Sequence, residues 1–91
     1  MKAGELKNKL EYWLRLAEET SDIPSAQADW RRNLLKTAQG IEVGEELIGS
    51  QAEKDLGEAI SLARVGDLES FELVRTLFQR TLLDMQTRGL D

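Results

Sequence analysis

The chain contains neither cysteine nor histidine among its 91 residues. Without cysteine it forms no disulfide bond and offers no thiolate, so zinc sites built on cysteine are excluded. Without histidine it lacks the usual general base, the commonest transition-metal ligand and the usual pH switch near neutrality. These two absences remove most of the side chains on which enzymes and metalloproteins depend.

Proline, long apolar runs and basic charge are also scarce. Pro24 is the only proline. The chain has 12 lysines and arginines and 17 aspartates and glutamates, which gives a net charge of −5. No apolar run reaches the roughly 18 residues of a membrane-spanning helix, and the first residues lack the apolar region of a signal peptide. An acidic surface disfavours nucleic acids and anionic membranes. We therefore expect a cytoplasmic protein with no membrane partner.

Carboxylates and serines are the main groups left for chemistry. No serine has the Gly-x-Ser-x-Gly setting of a hydrolase, and no glycine-rich stretch matches a phosphate-binding loop. Carboxylates bind hard cations such as calcium when they occupy alternate positions of a loop, as in Asp-x-Asp-x-Asp-Gly, and the sequence contains no such loop. We expect solvated helix faces, no enzyme, no cofactor and no metal site. The two acidic clusters are Glu18, Glu19 and Asp22, and Glu42, Glu45 and Glu46.

Apolar residues recur at intervals of three and four along most of the chain, which predicts α-helices. A capping box, Ser50 with Glu53, starts the third helix, and Gly66 ends it. Short connections favour a compact bundle, roughly up-down-up-down, with the last helix at its centre. We predict one all-α domain over 1–91, built from about four helices at 4–20, 24–48, 51–65 and 68–88.

The C-terminal helix has the clearest start, stop and buried face. Asp67 is suited to cap its first turn, and Gly89 to take the left-handed conformation that ends many helices. A second, shorter stripe of Leu73 and Leu77 lies on another side, as in a central bundle helix or a helix that also packs on a second chain. We take this pair as a candidate self-association site. The main stripe consists of Leu68, Phe71, Val74, Phe78, Leu82 and Met85.

The glycine-rich stretch after the second helix has three interpretations. Ile41 and Ile48 continue the apolar stripe of that helix in register, which favours one helix through to 48 whose glycines let a neighbour approach closely. The alternatives are a break near Gly44, because each interior glycine costs a helix about 1 kcal/mol, or a short hairpin. We adopt the continuous helix and leave the other two open. The three glycines are Gly40, Gly44 and Gly49.

Aromatic and basic residues on the first two helices suggest a contact surface for another protein. Tyr12 and Trp13 are adjacent and cannot face the same way, while Trp30 precedes two arginines. Tryptophan, tyrosine and arginine are enriched at binding hot spots. The alternative is that Trp13 and Trp30 lie in the core and the arginines are solvated. The predicted partner interface comprises Tyr12, Trp30, Arg31, Arg32 and Lys36.

The leading functional hypothesis is a helical adaptor, regulator or inhibitor that binds another protein and forms homo-oligomers. The second is a binder of a nucleotide-like anion, with a pocket lined by Tyr12, Trp30 and Arg32. The third is a helix-turn-helix nucleic-acid regulator around Gly57, which Glu58 and the acidic balance disfavour. We interpret Gly57 more simply as a close-packing position.

Overall fold

The computed structural model describes residues 2–20 and 27–89, and all regular structure in these ranges is helical. The predicted turn around Pro24, the candidate caps Asp22 and Ser25 and the predicted start of the second helix lie outside these residues. The all-α fold of four helices is confirmed. The elements are α1 Ala3–Glu19, α2 Gln27–Gln39, α3 Gln51–Val65 and α4 Ser70–Thr87, with a 3₁₀ turn at Glu45–Leu47.

The apolar stripes read from the sequence form the core. On α4, Phe71, Val74 and Phe78 are buried, and on α1 Leu6 and Leu10 are fully buried. Burying such stripes on facing helices is the main stabilising term of a bundle. Helix α4 packs on both α3 and α1, which confirms the central position predicted for it.

Trp13 joins three of the helices. Its side chain is fully buried, and its ring lies 4.9 Å from that of Phe78, edge to face, and 5.6 Å from that of Phe71. Its indole N–H donates a 2.7 Å hydrogen bond to the carbonyl oxygen of Leu34 on α2. Such an arrangement satisfies the one polar atom of a large aromatic core residue. Trp13 is therefore a core residue.

Helices α3 and α4 form an antiparallel hairpin across a short connection. Gly66 ends α3 at φ +70°, a conformation that favours glycine. The Asp67 carboxylate accepts a 3.1 Å bond from the amide of Glu69, and an i→i+3 turn follows, so α4 begins at Ser70 and not at 68. At the far end the Asp84 carboxylate on α4 accepts a 3.2 Å bond from the amide of Ala52 on α3.

The predicted continuation of the second helix to 48 is wrong. Helix α2 ends at Gln39, and the next two amides bond i→i+3 to Thr37 and Ala38, which tightens and closes the last turn. The break lies at Gly40, four residues earlier than the alternative at Gly44. Gly49 has φ +82°, which no right-handed helix accommodates.

The break changes which side chain of this stretch faces the core. After a passage without regular structure over 41–44 and the 3₁₀ turn, Leu47 is fully buried while Ile48 is 71% exposed. The helical register had placed Ile48 on the buried stripe. Part of the predicted capping box also changes: Glu53 accepts from the amide of Gly49, not Ser50, although Ser50 does cap Glu53.

Gly57 is not a close-packing position. A β-carbon built at this residue would meet no atom within 4 Å, so the helix–helix contact does not require glycine here. Within the described ranges, no helix is both long and apolar enough to cross a membrane.

Candidate interaction site

The five residues predicted to form a partner interface fall on different sides of the molecule. Tyr12 is 60% exposed, and Arg32 and Lys36 are exposed on α2. Trp30 and Arg31 are half-buried. Three of the five are therefore available at the surface, and the other two contribute to the edge of the core.

Trp30 and Arg31 stack against the start of α4. The Trp30 ring centroid lies 5.4 Å from that of Phe71, and its indole N–H donates to the hydroxyl of Thr20 at the end of α1. The Arg31 guanidinium carbon lies 5.4 Å from the Phe71 centroid and 5.9 Å from that of Trp30. These distances are those of cation–π contacts. Arg31 thus covers the aromatic core and does not share a face with Tyr12.

An open groove runs between α1 and α2, which are antiparallel because Trp13 bonds to Leu34 while Trp30 bonds to Thr20. It contains a cavity of about 390 Å³ at one end and one of about 120 Å³ at the other, and Thr37 lines both. We call this feature the α1–α2 groove. The larger cavity is lined by Asn8, Lys9, Tyr12, Thr37, Gly40 and Ile41, and the smaller by Leu16, Thr20, Trp30, Asn33, Leu34 and Thr37.

The walls of the α1–α2 groove are apolar and neutral or basic. Tyr12 and Leu16 sit four residues apart on α1 and so share one face. Among the described residues that line the two cavities, Lys9 is the only charged one. Three further cavities each include carboxylates, from Glu42 in one, Glu5, Glu45 and Glu46 in the second, and Asp55 and Asp84 in the third. In a chain with a net charge of −5, the groove stands out by lacking them.

Gly40 widens one end of the α1–α2 groove because it has no side chain. A β-carbon there would lie 3.5 Å from the carbonyl oxygen of Thr37, an ordinary contact, so the space beside it is empty. The sequence predicted Tyr12 as a site residue but contained no signal for Lys9, Thr37 or Gly40. Their role depends on where α2 ends and how it lies against α1.

The ligand pocket predicted from Tyr12, Trp30 and Arg32 is not assembled as one site. Tyr12 lines the larger cavity and Trp30 the smaller one, and Arg32 is among the lining residues of neither. Trp30 is already stacked on Phe71. The large cavity keeps one aromatic and one cationic side chain, Tyr12 and Lys9.

The stripe predicted for self-association is divided by the fold. Leu77 is 6% exposed and belongs to the core, whereas Leu73 is 55% exposed. Helix α4 is covered on two sides, by α1 and by α3, so a second apolar stripe does not imply a free face. Leu83, at 65% exposure, joins Leu73 on the solvent side of α4.

The carboxylates of the described residues do not gather into a site that resembles a metal centre. Within 2–20 and 27–89, no group of three or more acidic residues is placed to hold a cation. The clearest carboxylate contacts are structural: Asp55 is buried and lies 3.5 Å from the Arg80 guanidinium, and Asp84 bonds Arg88 at 3.0 Å.

Comparisons with protein-family models, with curated proteins and with solved structures gave no match. The geometry of the α1–α2 groove is therefore the basis for assigning a role to the protein.

Proposed function

We propose that this protein is a small helical interaction module, an adaptor, regulator or inhibitor, that binds another protein through the α1–α2 groove. The observation that carries the proposal is the 60% exposed Tyr12 at the edge of a cavity of about 390 Å³. An exposed tyrosine beside an empty apolar cavity has the composition of a binding hot spot. Lysine and asparagine at the same cavity supply the polar rim that interfaces have around such a centre.

The α1–α2 groove is also preformed, which favours binding. Both walls are helices held by the buried bond from Trp13 to Leu34, so little conformational freedom is lost when a partner docks. From Lys9 to Thr20 the groove extends over 11 residue steps of α1, about 16 Å at 1.5 Å per residue. That length matches three turns of a partner helix.

Two glycines provide a matched test of the groove. Neither Gly40 nor Gly57 has a positive φ, and neither position is crowded, so leucine fits the backbone at both. Gly40→Leu adds a side chain at the larger cavity of the groove, whereas Gly57→Leu adds the same side chain on α3, where Gly57 lines a different cavity. The wild type and both variants are immobilised as full chains and incubated with an extract of the native cells. The proteins that each one retains are then quantified by mass spectrometry.

We expect one or more proteins to be retained by the wild type and by Gly57→Leu, and lost with Gly40→Leu. Circular dichroism of both variants verifies that the helices are intact. Equal retention of every co-purifying protein by the two variants would refute a role for the groove.

A second candidate is the binding of a small anionic ligand beside Tyr12 and Lys9. The volume of the larger cavity lies within the range of small-molecule sites, and a ring and an ammonium group suit a base and a phosphate. This role is tested by titrating the protein with a panel of nucleotides and monitoring the amide chemical shifts of Thr37 and Gly40 by NMR. Unchanged shifts at millimolar ligand would exclude it.

Self-association remains part of the proposal, with Leu73 and Leu83 as its candidate residues because both are exposed on α4. Their exposure supports a contact on this face and does not depend on Leu77. The cytoplasmic location expected from the sequence stays a prediction, which fractionation of the native cells tests.

A further inference from the structure

We infer that this protein dimerises by domain swapping, in which α1 and α2 of one copy pack on α3 and α4 of a second copy. We call α1 and α2 the first pair, α3 and α4 the second pair, and residues 40–49 the hinge. The partner is a second copy because the surface that one pair uncovers is complementary to the other pair of the same chain. This contact differs from the reversible one proposed above for Leu73 and Leu83.

Each pair has polar bonds of its own. In the first pair, the indole N–H of Trp13 donates to the carbonyl oxygen of Leu34 at 2.7 Å. In the second pair, the Asp84 carboxylate on α4 accepts from the amide of Ala52 on α3 at 3.2 Å. Proteins open in cooperative units that often coincide with supersecondary motifs such as these. We therefore treat each pair as one unit of opening.

The contact between the pairs is mainly aromatic. The ring of Trp13 lies 5.6 Å from that of Phe71 and 4.9 Å from that of Phe78, and all three side chains are buried. Among the described residues, one hydrogen bond crosses between the pairs, from the side-chain amide of Gln39 to the carbonyl oxygen of Ala63 at 2.8 Å. Separated pairs would expose this apolar surface to water, and the matching pair of a second copy would cover it with the same contacts.

The hinge runs back along α3 and is bonded only locally. It begins next to Gln39, which contacts Ala63, and it ends at Ser50, the N-cap of α3. Ala63 and Ser50 are thirteen residue steps apart, about 20 Å of helix at 1.5 Å per residue. In the described part of the chain, the backbone amides of the hinge bond to partners no more than four positions away. These hydrogen bonds therefore do not join the two pairs.

Hinge length decides between the monomer and the swapped dimer. Both forms contain the same contacts between a first pair and a second pair, so these contacts cancel when the two forms are compared. Association costs translational and rotational freedom, which favours the monomer at low concentration. A hinge too short to fold back within one chain removes the monomer and leaves the dimer as the form that buries the core.

Deletion of residues 42–46 shortens the hinge in this way. Six residue steps then connect Gln39 to Ser50, and they span about 20–22 Å only when fully extended. Gly40 and Ile41 bond back to the last turn of α2, so the actual reach is shorter than the path along α3. We expect the shortened chain to be a helical dimer in light scattering and circular dichroism. The control replaces 42–46 with five glycine and serine residues, keeps the hinge length and should remain monomeric at low concentration.

Cysteine pairs distinguish swapping from other dimers, because the chain has no cysteine of its own. Gln39→Cys with Ser61→Cys places two thiols on different pairs, at exposed residues that line one cavity. Gln51→Cys with Leu83→Cys places two thiols within the second pair, at exposed residues of another cavity. In the shortened chain, a short bis-maleimide should link the first two thiols between chains and the second two within one chain. In the full-length monomer both links should be internal.

The full-length protein provides a second route if the shortened chain does not fold. Incubation at millimolar concentration near its Tm, followed by cooling, should yield a dimer that persists after dilution, because dissociation requires the pairs to separate. In this dimer the thiols at 39 and 61 should again link two chains. A full-length chain that remains monomeric after this treatment would overturn the inference.

Two other results would also reject swapping. One is a shortened chain that stays monomeric and helical, since the pairs would then close without the path along α3. The other is a dimer whose thiols at 39 and 61 link within one chain, which identifies a contact between closed monomers. Leu73→Arg with Leu83→Arg should leave the swapped dimer intact, and its loss would assign the dimer to those leucines. The proposed binding through the α1–α2 groove is judged separately, by the proteins retained from the native extract.

Discussion

The contribution of Trp13 to stability can be tested by replacing it with phenylalanine. Trp13→Phe keeps one aromatic ring next to Phe71 and Phe78 but removes the indole N–H that bonds Leu34 at 2.7 Å. It also leaves unfilled space, because the wild-type side chain is fully buried. The variant therefore measures what the hydrogen bond and the larger ring of Trp13 contribute to stability, apart from the contribution of any aromatic ring at this position.

Two terms determine the expected size of the effect. Loss of a buried hydrogen bond costs about 1 kcal/mol. The missing part of the indole leaves a cavity of roughly 40 Å³, which at about 24 cal/mol per Å³ adds about 1 kcal/mol. The free energy of unfolding should fall by about 2 kcal/mol, and the Tm by roughly 10 °C for a domain of this size.

The assay is urea unfolding followed by circular dichroism, since fluorescence changes with the tryptophan itself. The control is Trp30→Phe: this ring is half-buried and bonds a partly buried hydroxyl, so its replacement should cost less than about 1 kcal/mol. If the slope of the free energy of unfolding against urea concentration is the same for the variants and the wild type, the substitutions do not alter the unfolded state. If Trp13→Phe costs no more than Trp30→Phe, Trp13 does not anchor α2 to the core.

Three further predictions concern the glycines within and at the end of α3, the cap at the start of α3, and the exposed leucines of α4. Gly57→Ala should raise the free energy of unfolding by about 0.5–1 kcal/mol, because its β-carbon meets open space within a helix. Gly66→Ala should lower the free energy of unfolding by about 1 kcal/mol, because alanine is strained at the φ of +70° that this residue adopts. Urea unfolding of the two variants measures both effects. Asp84→Ala should cost about 1–2 kcal/mol through loss of the cap on α3, and thermal unfolding that matches the wild type would contradict it. Leu73→Arg with Leu83→Arg should abolish self-association in sedimentation equilibrium, and a wild-type monomer at high micromolar concentration would reject that association.

Local signals predicted the helices well because their causes are local. The stripe of Phe71, Val74 and Phe78 specifies which side of α4 is buried, and the cap at Ser50 specifies where α3 begins. Hydrogen bonds within three or four residues and a period of 3.6 are properties of the chain segment itself. They remain valid whatever the helices pack against.

Apolar periodicity failed to predict which side chains are buried where two helical registers were possible, or where burial depended on how neighbouring helices pack. Ile48 matched the stripe of the second helix, yet the 3₁₀ turn directs Leu47 inward and leaves Ile48 exposed. Leu77 and Leu73 looked equivalent in the sequence, but packing of α4 between two helices buries the first and exposes the second. Gly57 looked like a close contact and faces open space.

The candidate site divides in the same way. Tyr12 was a candidate from the sequence because two adjacent aromatics on a helix cannot face the same way, but the pattern did not decide which of the two is exposed. The excess of acidic residues follows from composition alone. The sequence by itself thus determined an all-helical chain and the capped boundaries of α3. Only the tertiary structure placed Lys9 and Tyr12 of α1 across from Thr37 and Gly40 of α2 to enclose a groove. These residues lie more than 20 positions apart, and their proximity depends on where α2 ends and on the bond from Trp13 that fixes the two helices together.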